Sequence, residues 1–210
     1  LHPLAETPAL KGYRWPDPND ERICGQIYRM AEQYRREGHA GALLLSGSHR
    51  DTLWEKSYML VGMENMMVYL LTEPGFAREV LARIMDFQMG IARHYIRAGV
   101  GFASLGDDLG AQHGPLLSPR LVSGFLAAEY YRLFQFYHEH AVPVGFHCCG
   151  HLEAVLDLLV DLGVAILNPV QASANNLDAL RARTHGRVAL QGGVSSAVVM
   201  EGPPERIEAE

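Results

Sequence analysis

The 210-residue sequence has little of several features, and each shortage argues against a class of protein. No apolar run approaches the roughly 18 residues of a membrane-spanning helix, so we expect no membrane segment. No basic start followed by an apolar stretch resembles a secretory signal. Basic residues are outnumbered: 18 Lys and Arg stand against 24 Asp and Glu, giving a net charge of −6. This balance argues against binding to nucleic acid.

Cysteine is also scarce. The three cysteines are Cys24, Cys148 and Cys149, of which two are adjacent and the third lies far away in the sequence. This spacing does not form a disulfide framework and fits a protein of the reducing cytoplasm. Histidine, in contrast, is abundant, with 10 residues.

The two ends of the sequence predict that it is an internal fragment of a larger protein. It begins with Leu1 rather than Met, and residues 1–22 carry four prolines without a periodic apolar pattern, as expected of a surface connector. Near the other end, Pro203 and Pro204 are typical of the start of a helix. We therefore expect residues 1–210 to form a single, incomplete domain.

Apolar periodicity predicts strands that alternate with helices. Five short apolar runs are predicted strands: 41–45, 101–105, 142–147, 164–167 and 187–190. Helical spacing extends over residues 23–37, 52–71, 76–98, 118–140, 151–162 and 177–185. We expect the second helix to be capped by Asp51 or Thr52 and to break at Gly62.

This alternation predicts an α/β fold with a parallel sheet covered on both faces. Five strands would make up about five-eighths of a (β/α)8 TIM barrel. The competing architecture is an open, doubly wound sheet, but its nucleotide-binding version lacks support because no G-x-G-x-x-G follows any strand. We therefore predict a partial (β/α)8 barrel without its N-terminal and C-terminal units.

Polar residues follow each of the last four predicted strands. They are Asp107 and Asp108, His147 and Cys149, Asn168, and Gln191. In a barrel of this kind, the C-terminal strand ends form the floor of the active site, so we expect these side chains to meet at one mouth. The alternative is that each one satisfies its own turn, since Asn and Asp are common there.

The His147-x-Cys149 pair is the sharpest local motif. Residues i and i+2 of a strand point to the same face, so the imidazole and the thiol should project together. Imidazole and thiolate are zinc ligands, and a catalytic zinc takes three protein ligands and leaves one position open. The third ligand stays open between Asp107, Asp108 and a residue beyond Glu210. The competing interpretation is a buried histidine beside packed thiols.

Several separate stretches together resemble the uroporphyrinogen decarboxylase superfamily. They are HPLAETPALKGYRWPDPND (2–20), WEKSYMLVGMENMMVYLLTEP (54–74), GDDLGAQHGPLLSPRL (106–121), GFHCCGHLEAVLDLLVDLGVAILNPVQ (145–171) and LQGGVSS (190–196). The resemblance implies a (β/α)8 barrel with its active site at the C-terminal mouth.

Within this superfamily, the His-x-Cys pair resembles the branch of zinc-dependent methyltransferases, which exchange methyl groups with a corrinoid protein. The resemblance implies that His147 and Cys149 supply two zinc ligands and that a cysteine downstream of residue 210 supplies the third. It implies a methyl transfer between a corrinoid partner protein and a thiol or methylated small substrate. A homodimer is among the oligomeric states left open.

The resemblance also suggests roles for the other polar residues. Asp107 and Asp108 would take part in catalysis by orienting a ligating imidazole or holding the substrate. Asn168 and Gln191 would offer hydrogen bonds to the substrate. Gln112 and His113 lie in a turn that would contact it, although relatives often carry Arg at position 113.

Two alternatives remain from the sequence. One is uroporphyrinogen decarboxylase itself, which removes carboxyl groups from an anionic tetrapyrrole without a cofactor and needs a cationic pocket. The other is a barrel without catalytic activity that serves as a binding or docking subunit.

Overall fold

The computed structural model describes residues 2–38, 43–194 and 196–209. In chain order the strands are β1 (Ser46–His49), β2 (Phe102–Gly106), β3 (Gly110–Ala111), β4 (Gly114–Pro115), β5 (Val144–His147), β6 (Ile166–Val170) and β7 (Ala189–Gly192). The short strands β3 and β4 form an antiparallel hairpin. The other five form one parallel sheet in the order β1-β2-β5-β6-β7.

Helices connect these strands. They are α1 (Glu21–Arg36), α2 (Trp54–Val61), α3 (Met63–Thr72), α4 (Pro74–Ala98), α5 (Pro119–Leu121), α6 (Ala127–Glu139), α7 (Leu156–Asp161), α8 (Leu177–Thr184), α9 (Ser196–Glu201) and α10 (Pro204–Ala209). A π-helical turn, Val122–Leu126, joins α5 to α6. In the described part of the chain, no helix combines the length and apolar character needed to cross a membrane.

The sheet is part of a (β/α)8 barrel. Its strands are parallel and follow one another in chain order, with a helical connection between each pair. The core lies between the sheet and the helices, where Val144 and Phe146 of β5 are buried against α6. The ring of Phe146 meets that of Tyr130 edge-on at 5.7 Å between centroids. The predicted α/β fold and partial barrel are confirmed.

The first predicted strand was misplaced. It was expected at 41–45, where positions 41 and 42 lie outside the described residues, but β1 begins at Ser46. Leu43 and Leu44, which suggested a buried strand, are 59% and 65% exposed. Gly47 instead sits against the ring of Tyr95, where a Cβ atom would lie 2.7 Å from ring carbons. Because β1 ends at His49, residues 50 and 51 directly follow the C-terminal end of a strand.

The helix predictions fared differently from one another. The break at Gly62 is confirmed, with φ at +92° between α2 and α3. The expected cap at Asp51 or Thr52 is wrong, because Leu53 occupies the N-cap position and its side chain makes no capping hydrogen bond. The helix predicted over 151–162 begins only at Leu156. Residues 148–155, between β5 and α7, form the loop that carries Cys149.

Candidate metal centre at the C-terminal edge of the sheet

Strand register places three site positions in one row. Gly106 and His147 are the last residues of β2 and β5 and pair with each other, and His147 also pairs with Asn168 in the middle of β6. A pocket of about 350 Å³ opens here. Its walls are Ser48, Arg50, Asp51, Glu55, Ser104, Leu105, Gly106, Asp108, His147 and Asn168.

The imidazole of His147 and the thiol of Cys149 converge. Nε2 of His147 lies 3.4 Å from Sγ of Cys149, and Nδ1 lies 2.8 Å from Oδ1 of Asn168. Because an amide oxygen only accepts hydrogen bonds, Nδ1 carries the proton and donates it to Asn168. Nε2 is then left with a free lone pair directed toward the thiol, and this is the tautomer that can bind a metal ion through Nε2.

Asp108 completes a group of three potential ligands. Its Oδ1 accepts a hydrogen bond of 2.8 Å from the backbone N–H of Cys149. One ligand atom from each of Asp108, His147 and Cys149 lies within 4.8 Å of the others. Two zinc ligands at about 2.3 Å (sulfur) and about 2.0 Å (nitrogen) in tetrahedral geometry stand about 3.5 Å apart. The observed 3.4 Å between sulfur and nitrogen fits such a site.

The loop that carries Cys149 is held by two amide side chains from the segment after β6. Oε1 of Gln171 accepts a 2.6 Å hydrogen bond from the backbone N–H of Gly150. Asn175, which is buried, accepts from the N–H of Leu152 and donates to the carbonyl of Gly150. These contacts fix the thiol position through backbone groups, and the sequence offered no signal for them.

The protonation of Cys149 is set by its surroundings. Burial raises the pKa of the Cys149 thiol, and the charge and hydrogen bond of Asp108 raise it further. The charge of Glu55 acts in the same direction. Without a cation the thiol therefore keeps its proton, and a cation bound here would replace that proton.

Asp107 lies apart from this group. It is fully buried and accepts hydrogen bonds from the backbone N–H groups of Leu53, Trp54 and Glu55, each at 2.7 Å, and from the hydroxyl of Tyr130 at 2.6 Å. Burial raises the pKa of Asp107 to about 6, against the opposing effect of these donors. The carboxylate, on the residue that follows β2, thus caps the first turn of α2.

Sequence reasoning missed two carboxylates of the pocket, Asp51 and Glu55. Oε2 of Glu55 lies 3.3 Å from the backbone N–H of Asp108, and Oε1 accepts a hydrogen bond of 3.2 Å from the hydroxyl of Tyr58. Burial and the charge of Asp108 raise the pKa of Glu55. The misplaced first strand hid both residues, since a strand ending at position 45 leaves them far from any strand end.

The remaining predicted contacts lie outside the pocket walls. Gln112 and His113 are exposed at the tip of the β3–β4 hairpin. The base of that hairpin is tight against the site loop, because a Cβ atom on Gly110 would lie 2.7 Å from the carbonyl oxygen of Cys149. Gln191 is exposed on β7. Substrate contact by Gln112, His113 and Gln191 stays a prediction.

Comparison with known proteins identifies the family of the chain and agrees with its fold. A search of curated proteins found no significant match. Among solved structures, the chain is similar to a methyltransferase from Methanosarcina mazei, with a TM-score of 0.77 and 20% sequence identity. The superposition covers 100% of this chain and 60% of that one, and at this identity it shows the fold. The sequence profile described as Uroporphyrinogen decarboxylase (URO-D) matches residues 11–210. The chain therefore belongs to the uroporphyrinogen decarboxylase (URO-D) family.

Proposed function

We propose that the chain is the metal-binding part of a zinc-dependent methyltransferase. It would move a methyl group between a corrinoid protein and a thiol or methylated small substrate. The observation that carries this proposal is that potential ligand atoms of His147, Cys149 and Asp108 lie within 4.8 Å of one another at the C-terminal edge of the sheet. The structural neighbour named a methyltransferase supports the same choice.

In this proposal His147, Cys149 and Asp108 hold the metal. A zinc ion there would lower the pKa of a substrate thiol, so that the thiolate nucleophile is present near neutral pH. Asp108 has a second contact, since it accepts the backbone N–H of Cys149 and so sets the distance between the two ligands. A further ligand from outside residues 1–210 is compatible with this arrangement.

The residues around the ligands fix their geometry. Asn168 holds the His147 ring in the tautomer with a free Nε2. Asp107 holds the start of α2, which keeps Glu55 beside the backbone of Asp108. We assign Asp107 a positioning role and place Asp108 in contact with the reacting groups. In the transfer itself, the substrate sulfur forms a bond to the methyl carbon as the bond between that carbon and its donor breaks.

The charge of the pocket favours methyl transfer over decarboxylation of a tetrapyrrole. The described walls present three carboxylates, Asp51, Glu55 and Asp108, whereas an anionic tetrapyrrole needs cationic partners. The one cation in these walls is Arg50, whose side chain is 90% exposed.

A metal analysis of the full-length protein tests the proposal. We expect one zinc per chain in the wild type and none in Cys149→Ser. Cys148→Ser is the matched control, because Cys148 is buried and its sulfur accepts the N–H of Leu109 rather than facing the pocket. With cobalt in place of zinc, the wild type and the control should show a thiolate-to-cobalt absorption band. Zinc retained at one per chain in Cys149→Ser would refute the ligand assignment. A metal-free protein that still binds its partner would favour the non-catalytic barrel.

A further inference from the structure

We infer that the substrate of this pocket carries a positive charge of the ammonium type beside its reacting atom. The inference rests on the proposed function, because it concerns the group that reacts next to the His147–Cys149–Asp108 cluster. It is carried by the charges of the pocket walls and by the partners of each charged side chain.

The first step is the balance of charge at the metal ligands. A divalent ion held by the Cys149 thiolate and the Asp108 carboxylate would be neutral overall with its neutral imidazole ligand. Two wall carboxylates, those of Asp51 and Glu55, are left over. The pocket as described is therefore negative once the metal position is filled.

The second step is that, in the described part of the chain, no cation forms an ion pair with Glu55. Its carboxylate oxygens are matched with neutral donors, the hydroxyl of Tyr58 and the backbone N–H of Asp108. The adjacent Lys56 does not reach it, because its ammonium group donates to the carbonyl of Arg50. Among the ion pairs in the described ranges, none includes Glu55.

The third step is that Asp51 forms only a weak ion pair, with Arg50. Nε of Arg50 stands 3.9 Å from Oδ1 of Asp51, and the arginine side chain is 90% exposed while that of Asp51 is 29% exposed. An exposed guanidinium at this distance is well screened by water, whereas the carboxylate faces the pocket. The field inside the pocket is therefore dominated by carboxylates.

These charges select the chemistry of the ligand. Carboxylates only accept hydrogen bonds, and an ammonium group only donates them, so the two match in both charge and hydrogen bonding. A small thiol or methylated compound with an ammonium group fits the pocket of about 350 Å³. A carboxylate or sulfonate in the same position would face Asp51 and Glu55 with like charge.

Three thiols of similar size test the inference: cysteamine (cationic), 2-mercaptoethanol (neutral) and mercaptoacetate (anionic). Each is titrated into cobalt-loaded, full-length protein, and binding is followed by the cobalt absorption spectrum. The preference for cysteamine over mercaptoacetate is compared between the wild type and the Asp51→Asn/Glu55→Gln double variant, so that intrinsic differences between the thiols cancel. We expect the double variant to lower this preference about tenfold and to change 2-mercaptoethanol binding little.

The control variant is Asp161→Asn, which removes an exposed carboxylate at the far end of α7 and should leave the preference unchanged. A wild type that prefers mercaptoacetate, or a double variant with an unchanged preference, would overturn the inference. A second measurement keeps this outcome separate from failure of the proposed function. In metal-free protein, Cys149 should react faster with a cationic methanethiosulfonate than with an anionic one, and the double variant should reduce that ratio.

If no thiol perturbs the cobalt spectrum, the proposed thiol chemistry fails, and the ratio of the two Cys149 modification rates still decides the charge of the pocket. Equal rates with the cationic and the anionic reagent would then reject the inference on its own.

Discussion

The buried carboxylate of Asp107 offers the strongest test of how this site is assembled. It joins β2 to α2 by accepting three backbone N–H groups and the hydroxyl of Tyr130. The substitution Asp107→Asn keeps the size of the side chain, removes its charge and replaces one acceptor oxygen with an NH2 donor. If the carboxylate holds α2, this small change must be costly.

The structure allows the cost to be estimated. Oδ2 accepts from Leu53, Trp54 and Tyr130, while Oδ1 accepts from Glu55. In its better orientation, the amide of Asn keeps its oxygen at the Oδ2 position and turns its NH2 group toward the N–H of Glu55. One buried donor is then unpaired and three hydrogen bonds lose their charge. We expect the free energy of unfolding to fall by about 3 kcal/mol, a large part of a typical 5–15 kcal/mol.

Equilibrium unfolding in urea, followed by tryptophan fluorescence, measures this effect in the full-length protein. Trp54 is fully buried at the start of α2, so loosening of that turn should also shift its emission to longer wavelength. The control is Asp20→Asn at the N-cap of α1, where Asp20 accepts the N–H of Arg22. Because Asn caps a helix as well as Asp does, the control should unfold at nearly the wild-type urea concentration.

A Tyr130→Phe variant separates the contributions. It removes one of the four donors, so it should cost about 1 kcal/mol alone and less in the Asp107→Asn background. If Asp107→Asn unfolds at the same urea concentration as the wild type, the carboxylate does not hold the helix and the reasoning fails.

Three further predictions concern other parts of the structure. Burial lowers the pKa of His49 to about 4, so the unfolded chain binds a proton that the folded chain does not. His49 alone should therefore lower the free energy of unfolding by about 3 kcal/mol between pH 6.5 and pH 4. Because the raised pKa of Asp107 acts in the opposite direction, the measurement is the difference between the pH profiles of the wild type and His49→Gln, and identical profiles would contradict the prediction. A Gly150→Ala variant should unfold at a lower urea concentration and lose its metal. The reason is that Gly150 has φ at +77° and a Cβ atom there would lie 2.7 Å from the carbonyl oxygen of Ala111. Unchanged zinc content in this variant would contradict the prediction. An Asn168→Leu variant should bind zinc about 10- to 100-fold more weakly in a chelator competition, because the ring of His147 loses its hydrogen bond to the amide. Equal zinc affinity of the variant and the wild type would show that the amide does not set the tautomer of His147.

The sequence was enough for the fold class because the relevant signals are local. Gly62 ended one helix and started the next, as its +92° φ requires, and the later apolar runs lie within a few residues of the observed strands. The first strand was the exception. The apolar residues Leu43 and Leu44 match the pattern of a buried strand better than Ser46–His49 does. The strand nevertheless forms at Ser46–His49, because Gly47 and His49 are buried against α4.

The candidate site also has one part that the sequence predicted and another that only the tertiary structure set. The sequence predicted that the side chains of His147 and Cys149 lie together, and they do lie 3.4 Å apart, although Cys149 lies in the loop that follows β5 rather than on the strand. The sequence could not distinguish Asp107 from Asp108, since adjacent residues at a strand end point in opposite directions and only their distant partners decide which one faces the pocket. Packing of α2 against β2 buried Asp107 beneath the helix and left Asp108, with Glu55 and Asp51, at the mouth. The different positions of Asp107 and Asp108 therefore depend on contacts between residues more than 50 positions apart, which no local sequence pattern predicts.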